Sequence, residues 1–431
     1  MISAEALAVG IFVVTYIAII FEHVLVHRVA TVLFSGSLLI FFGVIEPREA
    51  WNYIDYNTLA LLFGMMLIVN ILEKSGFFEY LSLRALLFTE FKPRKFFVVF
   101  FVMTGILSAF LDNVTTVLFI TPIIIKVTRK MGVSPILYLI STIIASNIGG
   151  ASTLIGDPPN LIIGSMASKS FLDFVVNVGP YIFATFLFGL GIMYAYMNAL
   201  GAFKTDVGPD AIIKETTAAL ESGIVIKDKS LLYKSLGVLG ITIILLIFSH
   251  DIGIESGTIT FFTGSLLMVL TGLSPHKIFE EIEWTALFFF FGLFIMIGSL
   301  ESVGLLELAA ERVVGMMGSN IQLGVLLIGG SSMLISGFVD NIPFTMAMAS
   351  VLLSVSEHVA VSIDPLWWAL SIGACLGGNM TILGAAANIV VREMAEKDGI
   401  HISFMDFMKY GAPVGFVTGA VGITLFYVFG V

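Results

Sequence analysis

Long apolar runs, closed by Gly, Pro or charged residues, follow one another along the whole chain. Those at 4–21, 29–45, 58–73, 136–165, 174–200, 231–249, 257–273, 284–300, 365–391 and 411–429 are predicted to cross a bilayer as helices, because about 20 apolar residues span the hydrocarbon. Two further apolar pieces, 96–127 and 321–355, are each interrupted by an Asp-Asn pair and are expected to be re-entrant hairpins. The runs, separated by turn residues and breaking at about 10–20 residues, argue for helices rather than barrel strands. The predicted class is therefore all-α and polytopic, with about ten transmembrane helices.

The pattern repeats. SAFLDNVTT (108–116) and NIGGASTLIGDPPN (147–160) return as SGFVDNIPFT (336–345) and CLGGNMTILGAAAN (375–388), at a constant offset of 228. GSLL at 36–39 meets GSLL at 264–267 in the same register, and FLDF (171–174) meets FMDF (404–407) after a short insertion. Each copy then holds five crossings and one hairpin, and an odd number of crossings inverts the second copy. This gives a first inverted repeat at 1–200, with hairpin 96–127 and broken helix 136–165, and a second at 231–431, with hairpin 321–355 and broken helix 365–391. Residues 201–230 are read as a polar cytoplasmic linker.

Composition narrows the class. The chain is 58% hydrophobic and 12% charged, with mean hydropathy +1.03, against roughly 25% charged in soluble domains. Too little polar surface remains to cover a globule in water, so the lipid bilayer is the expected surrounding. In the ten-span arrangement with both termini outside, 18 of the 21 Lys and Arg fall on the cytoplasmic side, as the positive-inside rule requires. A multi-pass protein of the plasma membrane is the expectation. No basic patch with interleaved aromatics points to nucleic acid. No HExxH or GxSxG motif occurs, and the six histidines lack metal-ligand spacing, so no enzyme, metal or other cofactor is expected. The single cysteine, Cys375, is read as a buried small hydrophobe.

Candidate chemistry sits at the interruptions. Asp112 and Asp340 fall mid-way through apolar pieces, where an ionised carboxylate costs at least roughly 2.5–3.5 kcal/mol and normally faces water, an ion or a partner. The alternative is that each caps the half-helix that follows it. With Asn113, Thr115 and Asn341 they form the expected coupling-ion set, Thr116 adding a further hydroxyl. Asn147, Gly149, Gly150, Thr153, Gly156 and Asn160 in the first copy, with Thr345, Gly378, Asn379, Thr381, Gly384 and Asn388 in the second, are expected to bind solute. Glycines let the backbone unwind there, and freed carbonyls are tolerated where they line a cavity; close helix packing is the plainer reading of the same glycines. Asp157 has Ala385 as its counterpart and reads equally as a coupling carboxylate or as the N-cap before Pro158.

These motifs resemble the arsenite permease and sodium/proton antiporter branch of the ion transporter superfamily, and within it the prokaryotic relatives of the melanosomal pink-eyed-dilution protein. The resemblance covers nearly the whole chain. It implies ten spans, two opposed hairpins, a scaffold that forms a homodimer, and an elevator-type transport domain. Related dicarboxylate transporters carry Ser-Asn-Thr at each hairpin tip; here Asp112-Asn113 and Asp340-Asn341 replace the Ser-Asn part, which implies coupling to protons, with Na⁺ as the other candidate. The function so implied is export of a small inorganic solute, arsenite or antimonite, in exchange for protons. The alternatives are a sodium/proton antiporter and an anion pathway of the pink-eyed-dilution type. No Arg or Lys lies within either motif block, which counts against citrate.

Overall fold

The computed structural model describes residues 3–20, 27–205, 207, 217, 225–318 and 320–431. Much of the expected linker, and His23, lie outside the described residues. The fold is all-helical. The first half runs through α1 (Ala4–Ile20), α2 (Arg28–Phe41), α3 (Pro47–Asn52), α4 (Tyr56–Lys74), α5 (Phe77–Phe88), α6 (Pro93–Phe110), α7 (Asn113–Lys130), α8 (Ile136–Gly150), α9 (Pro158–Met166), α10 (Phe171–Asn177) and α11 (Gly179–Ala199). The second runs through α12 (Lys229–Ile247), α13 (Ser249–Ile252), α14 (Ser256–Thr271), α15 (Pro275–Phe279), α16 (Trp284–Ser302), α17 (Leu305–Met317), α18 (Ile321–Ser336), α19 (Asn341–His358), α20 (Asp364–Gly377), α21 (Ala386–Lys397) and α22 (Phe404–Phe429).

The helix starts keep the register of the sequence motifs. Arg28, Pro47, Tyr56, Phe77, Pro93, Asn113, Ile136 and Pro158 open helices whose partners open 228 residues later, at Ser256, Pro275, Trp284, Leu305, Ile321, Asn341, Asp364 and Ala386. Shared punctuation explains this. Pro sits at the first turn of α3 and α15, where its missing N–H costs nothing. Gly76 and Gly304 adopt left-handed φ of 84° and 76° just before α5 and α17, a conformation open to a residue without Cβ. Ser170 and Ser403 close capping boxes with Asp173 and Asp406 at the starts of α10 and α22.

Among the described residues, six helices are long and apolar enough to cross a membrane: α4, α6, α11, α12, α16 and α22. Others reach less far. α2 has 14 residues and α14 has 16, about 21 and 24 Å at 1.5 Å per residue. The expected spans 136–165 and 365–391 are each two helices, α8 with α9 and α20 with α21, separated by unwound segments at 151–157 and 378–385. The two interrupted pieces are the helix pairs α6–α7 and α18–α19, turning at the Asp-Asn motifs. Large apolar side chains such as Phe34, Phe41, Phe183, Phe262 and Val269 are exposed on the flanks, as a lipid-facing surface requires.

Packing swaps the halves. α4 packs on α14 and α2 on α16; α19 packs on α9 and α7 on α21. The second arm of each hairpin therefore lies against a half-helix of the other copy, while the first arms, α6 and α18, lie against α8 and α20 of their own. α8 and α20 form the centre, buried from Tyr138 to Gly150 and from Leu366 to Gly377.

Candidate binding site at the hairpin tips

The two hairpin tips meet over a carboxylate that neither of them supplies. Asp157 is fully buried, and its Oδ1 accepts hydrogen bonds from Asn113 Nδ2 at 3.1 Å and Asn341 Nδ2 at 3.3 Å. One donor comes from each tip. Asp157 precedes α9 but makes no side-chain capping bond. Its counterpart Ala385 precedes α21 with nearly the same backbone, φ −153° and ψ 148° against −143° and 132°. The chain path therefore does not need the acid. Of the two sequence readings, capping is excluded by this geometry.

Asp112 and Asp340 do cap. Asp112 accepts from Thr115 N at 2.8 Å and from the Thr115 hydroxyl. Asp340 accepts from Ile342 N at 3.0 Å and from Arg28 Nη1 at 3.1 Å. Arg28 was not among the site residues expected from sequence; it lies 312 positions away and outside both motif blocks. No local pattern points to it.

An amide chain continues inward. Asn113 Nδ2 lies 3.4 Å from Asn147 Oδ1, and Asn147 Nδ2 donates to Asn379 Oδ1 at 3.1 Å and Asn388 Oδ1 at 3.0 Å. The end of α8 in the first half thus bonds to the helix break and the half-helix of the second. Asn160 and Asn388 hold these segments in shape. Asn160 Nδ2 donates to Ala151 O and Thr153 O, and Asn388 Nδ2 donates to Gly378 O and Thr381 O. The oxygen of Asn160 accepts from Ser371 at 2.7 Å and, at 3.6 Å, from the Cys375 thiol. Thr153 donates to Ala109 O, and Thr381 accepts from Leu383 N.

The glycines serve close approach. A Cβ on Gly150 would lie 2.4 Å from Gly156 O, and one on Gly384 would lie 2.8 Å from Gly378 O. Gly149 meets Gly105 of α6 in the same way. Ser108 and Ser336 then bond across to the carbonyls of Ser146 and Ala374, a matched pair at the repeat offset. Several polar atoms around the tips remain buried without a hydrogen-bond partner among the described residues: Asp157 Oδ2, Asn113 Oδ1, Asn379 Nδ2 and the hydroxyls of Thr116 and Thr345. Such atoms cost free energy unless a ligand or water meets them. Beside the first tip, a cavity of about 260 Å³ is lined by Asn70, Glu73, Thr115, Glu281 and Glu283.

Crossed helix pairs, half-helices broken at the molecular centre and buried polar groups inside an apolar bundle define a membrane transporter. The comparisons agree. A family model described as "Citrate transporter" (CitMHS) matches residues 16–373, and the chain belongs to that family. An uncharacterized transporter of Mycobacterium tuberculosis is 34% identical over 430 residues, covering 98% of this chain and 96% of the relative. The human P protein is 32% identical over 495 residues, covering 97% of this chain and 59% of that longer protein. Among solved structures, the Alcanivorax borkumensis YdaH transporter superposes with TM-score 0.58 over 91% of this chain and 88% of its own. At 14% identity that likeness concerns the fold alone. The protein is thus a multi-pass membrane transporter.

Proposed function

We propose that the protein is a cation-coupled secondary transporter in which Asp157 takes up a proton or Na⁺. The carrying observation is that this carboxylate is fully buried, absent from the second copy and held by one asparagine from each hairpin tip. Among the described residues, no Lys or Arg is hydrogen-bonded to it. An ionised carboxylate so placed needs a counter-charge, and a bound cation or proton supplies it. Asp157 Oδ2, Asn113 Oδ1 and the Thr116 and Thr345 hydroxyls are hard oxygen donors, the type that suits Na⁺ rather than a soft metal.

Sodium/proton exchange is the reading this donor set supports best. Export of arsenite or antimonite against protons is the second; the lack of a basic group at Asp157 favours it, since a neutral hydroxide needs none. Against citrate, named in the family's description, stand Glu73, Glu281 and Glu283 around the cavity beside the first tip, since like charge repels it. An elevator-type movement, a homodimeric scaffold and a place in the plasma membrane belong to the same proposal.

Proteoliposomes holding a pH dye test it. Na⁺ is added, then arsenite, then citrate, to one batch under an imposed proton gradient. A proton signal with Na⁺ alone is expected, and one with arsenite alone would establish the second reading. Either signal should vanish in Asp157→Asn. Silence of the unaltered protein toward both Na⁺ and arsenite overturns the proposal.

A further inference from the structure

The two hairpins are not held alike. Asp340, at the second tip, pairs with Arg28 Nη1 at 3.1 Å, and the Tyr16 hydroxyl donates to Pro343 O at 2.8 Å. The Arg28 guanidinium also lies 5.3 Å from the centre of the Phe289 ring. The second tip is thus fastened to α1 and to the start of α2. The first tip instead faces a gap, where Thr115 lines the 260 Å³ cavity with Asn70 and Glu73 at the end of α4 and Glu281 and Glu283 before α16. Lys74 lies at the same end, bonded to Glu281 at 2.6 Å. Both tips therefore stand near the end marked by Arg28 and Lys74.

The repeat shows what the first tip lacks. The acid is duplicated, Asp112 for Asp340, but its fasteners are not. At the offset of 228, Ser256 stands where Arg28 stands, and Ile244 stands where Tyr16 stands. We propose that Arg28–Asp340 is a one-sided latch. It holds the protein in the state whose cavity opens beside the first hairpin, and it must break before the site opens beside the second. In the opposite state, pseudo-symmetry brings Asp112 to the Ser256 end, where no such pair can form. The latch therefore biases the resting population toward the state described here. The inference rests on reading the protein as an alternating-access transporter, although not on which solute it carries.

Equivalent positions on the two tips, Val114 and Ile342, report the state. Each is changed to Cys, one at a time, in a Cys375→Ala background and labelled with a membrane-impermeant thiol reagent. Val114→Cys should react faster. Adding Arg28→Gln should shift the labelling ratio toward Ile342→Cys by about tenfold, within the usual range of coupling between two states. Arg28→Lys should retain the original ratio. Ser256→Arg added to Arg28→Gln should push the ratio further, by offering Asp112 the missing partner. An unchanged ratio in Arg28→Gln, or an equal shift in Arg28→Lys, overturns the latch. Labelling of Lys126→Cys, away from both tips, verifies that each variant is folded. Because labelling needs no transported ion, a wrong choice of coupling ion would leave these results intact.

Discussion

Asp157 and Asp112 are carboxylates in the same half of the chain, yet their surroundings separate their work. Asp112 is occupied by Thr115, whereas Asp157 has one oxygen without a partner and no capping bond. Asp112→Ala should therefore lower stability by about 1 kcal/mol, the usual cost of a lost N-cap, and leave ion coupling in place. Thermal unfolding in detergent alongside flux measurement checks this. Asp157→Asn should do the reverse, abolishing coupled flux with little change in unfolding temperature, since Ala385 takes the same backbone conformation without an acid. The sequence did signal Asp157, through the break in the repeat, but the balance between capping and coupling depends on where its oxygens point. Arg28 left no signal at all. Its partner is brought to it only because α2 and α19 both pack on α16.

At the scale of elements, the broken helices work because main chain meets main chain. A Cβ on Gly149 would lie 2.2 Å from Gly105 O, and backbone cannot swing aside as a flexible side chain can. Gly149→Ala should cost about 1–3 kcal/mol, typical of overpacking. Gly191, in α11 with nothing within 4 Å of its added Cβ, should tolerate Ala and gain about 0.4–1 kcal/mol from the stiffer unfolded chain. A pair of melting curves decides both. The Asp-Asn turns and the helix breaks were legible because Gly, Pro and acidic residues interrupt otherwise apolar runs. The helices α5 and α17 were not read: 12 and 13 residues long, with mixed charge, they lack the length of a span, so the pattern left them inside connecting segments.

For the whole molecule, the salt bridges Arg129–Asp398 and Lys169–Asp364 gather different helix ends. The first joins the ends of α7 and α21, and the second joins the region after α9 to the start of α20. If these two ends face opposite sides of the membrane, Cys placed at Lys126 and at Arg312 should react with an impermeant reagent from opposite faces. Reaction from one face would sink the inverted arrangement. The 228-residue register was plain in sequence because punctuation is shared, while the unequal fastening of the tips was hidden because it arises from residues outside the motifs. The single acid between two matched halves has a further consequence. Were the tips to close over an ionised, unoccupied Asp157, an uncompensated charge would have to cross the apolar interior, at an effective penalty of several kcal/mol. An empty return would then be slowed by orders of magnitude relative to a neutralised one. On the coupling role proposed for it, the lone carboxylate would act as a guard against slippage, tying each half-cycle to an occupant and sparing the cell a short circuit of its ion gradient.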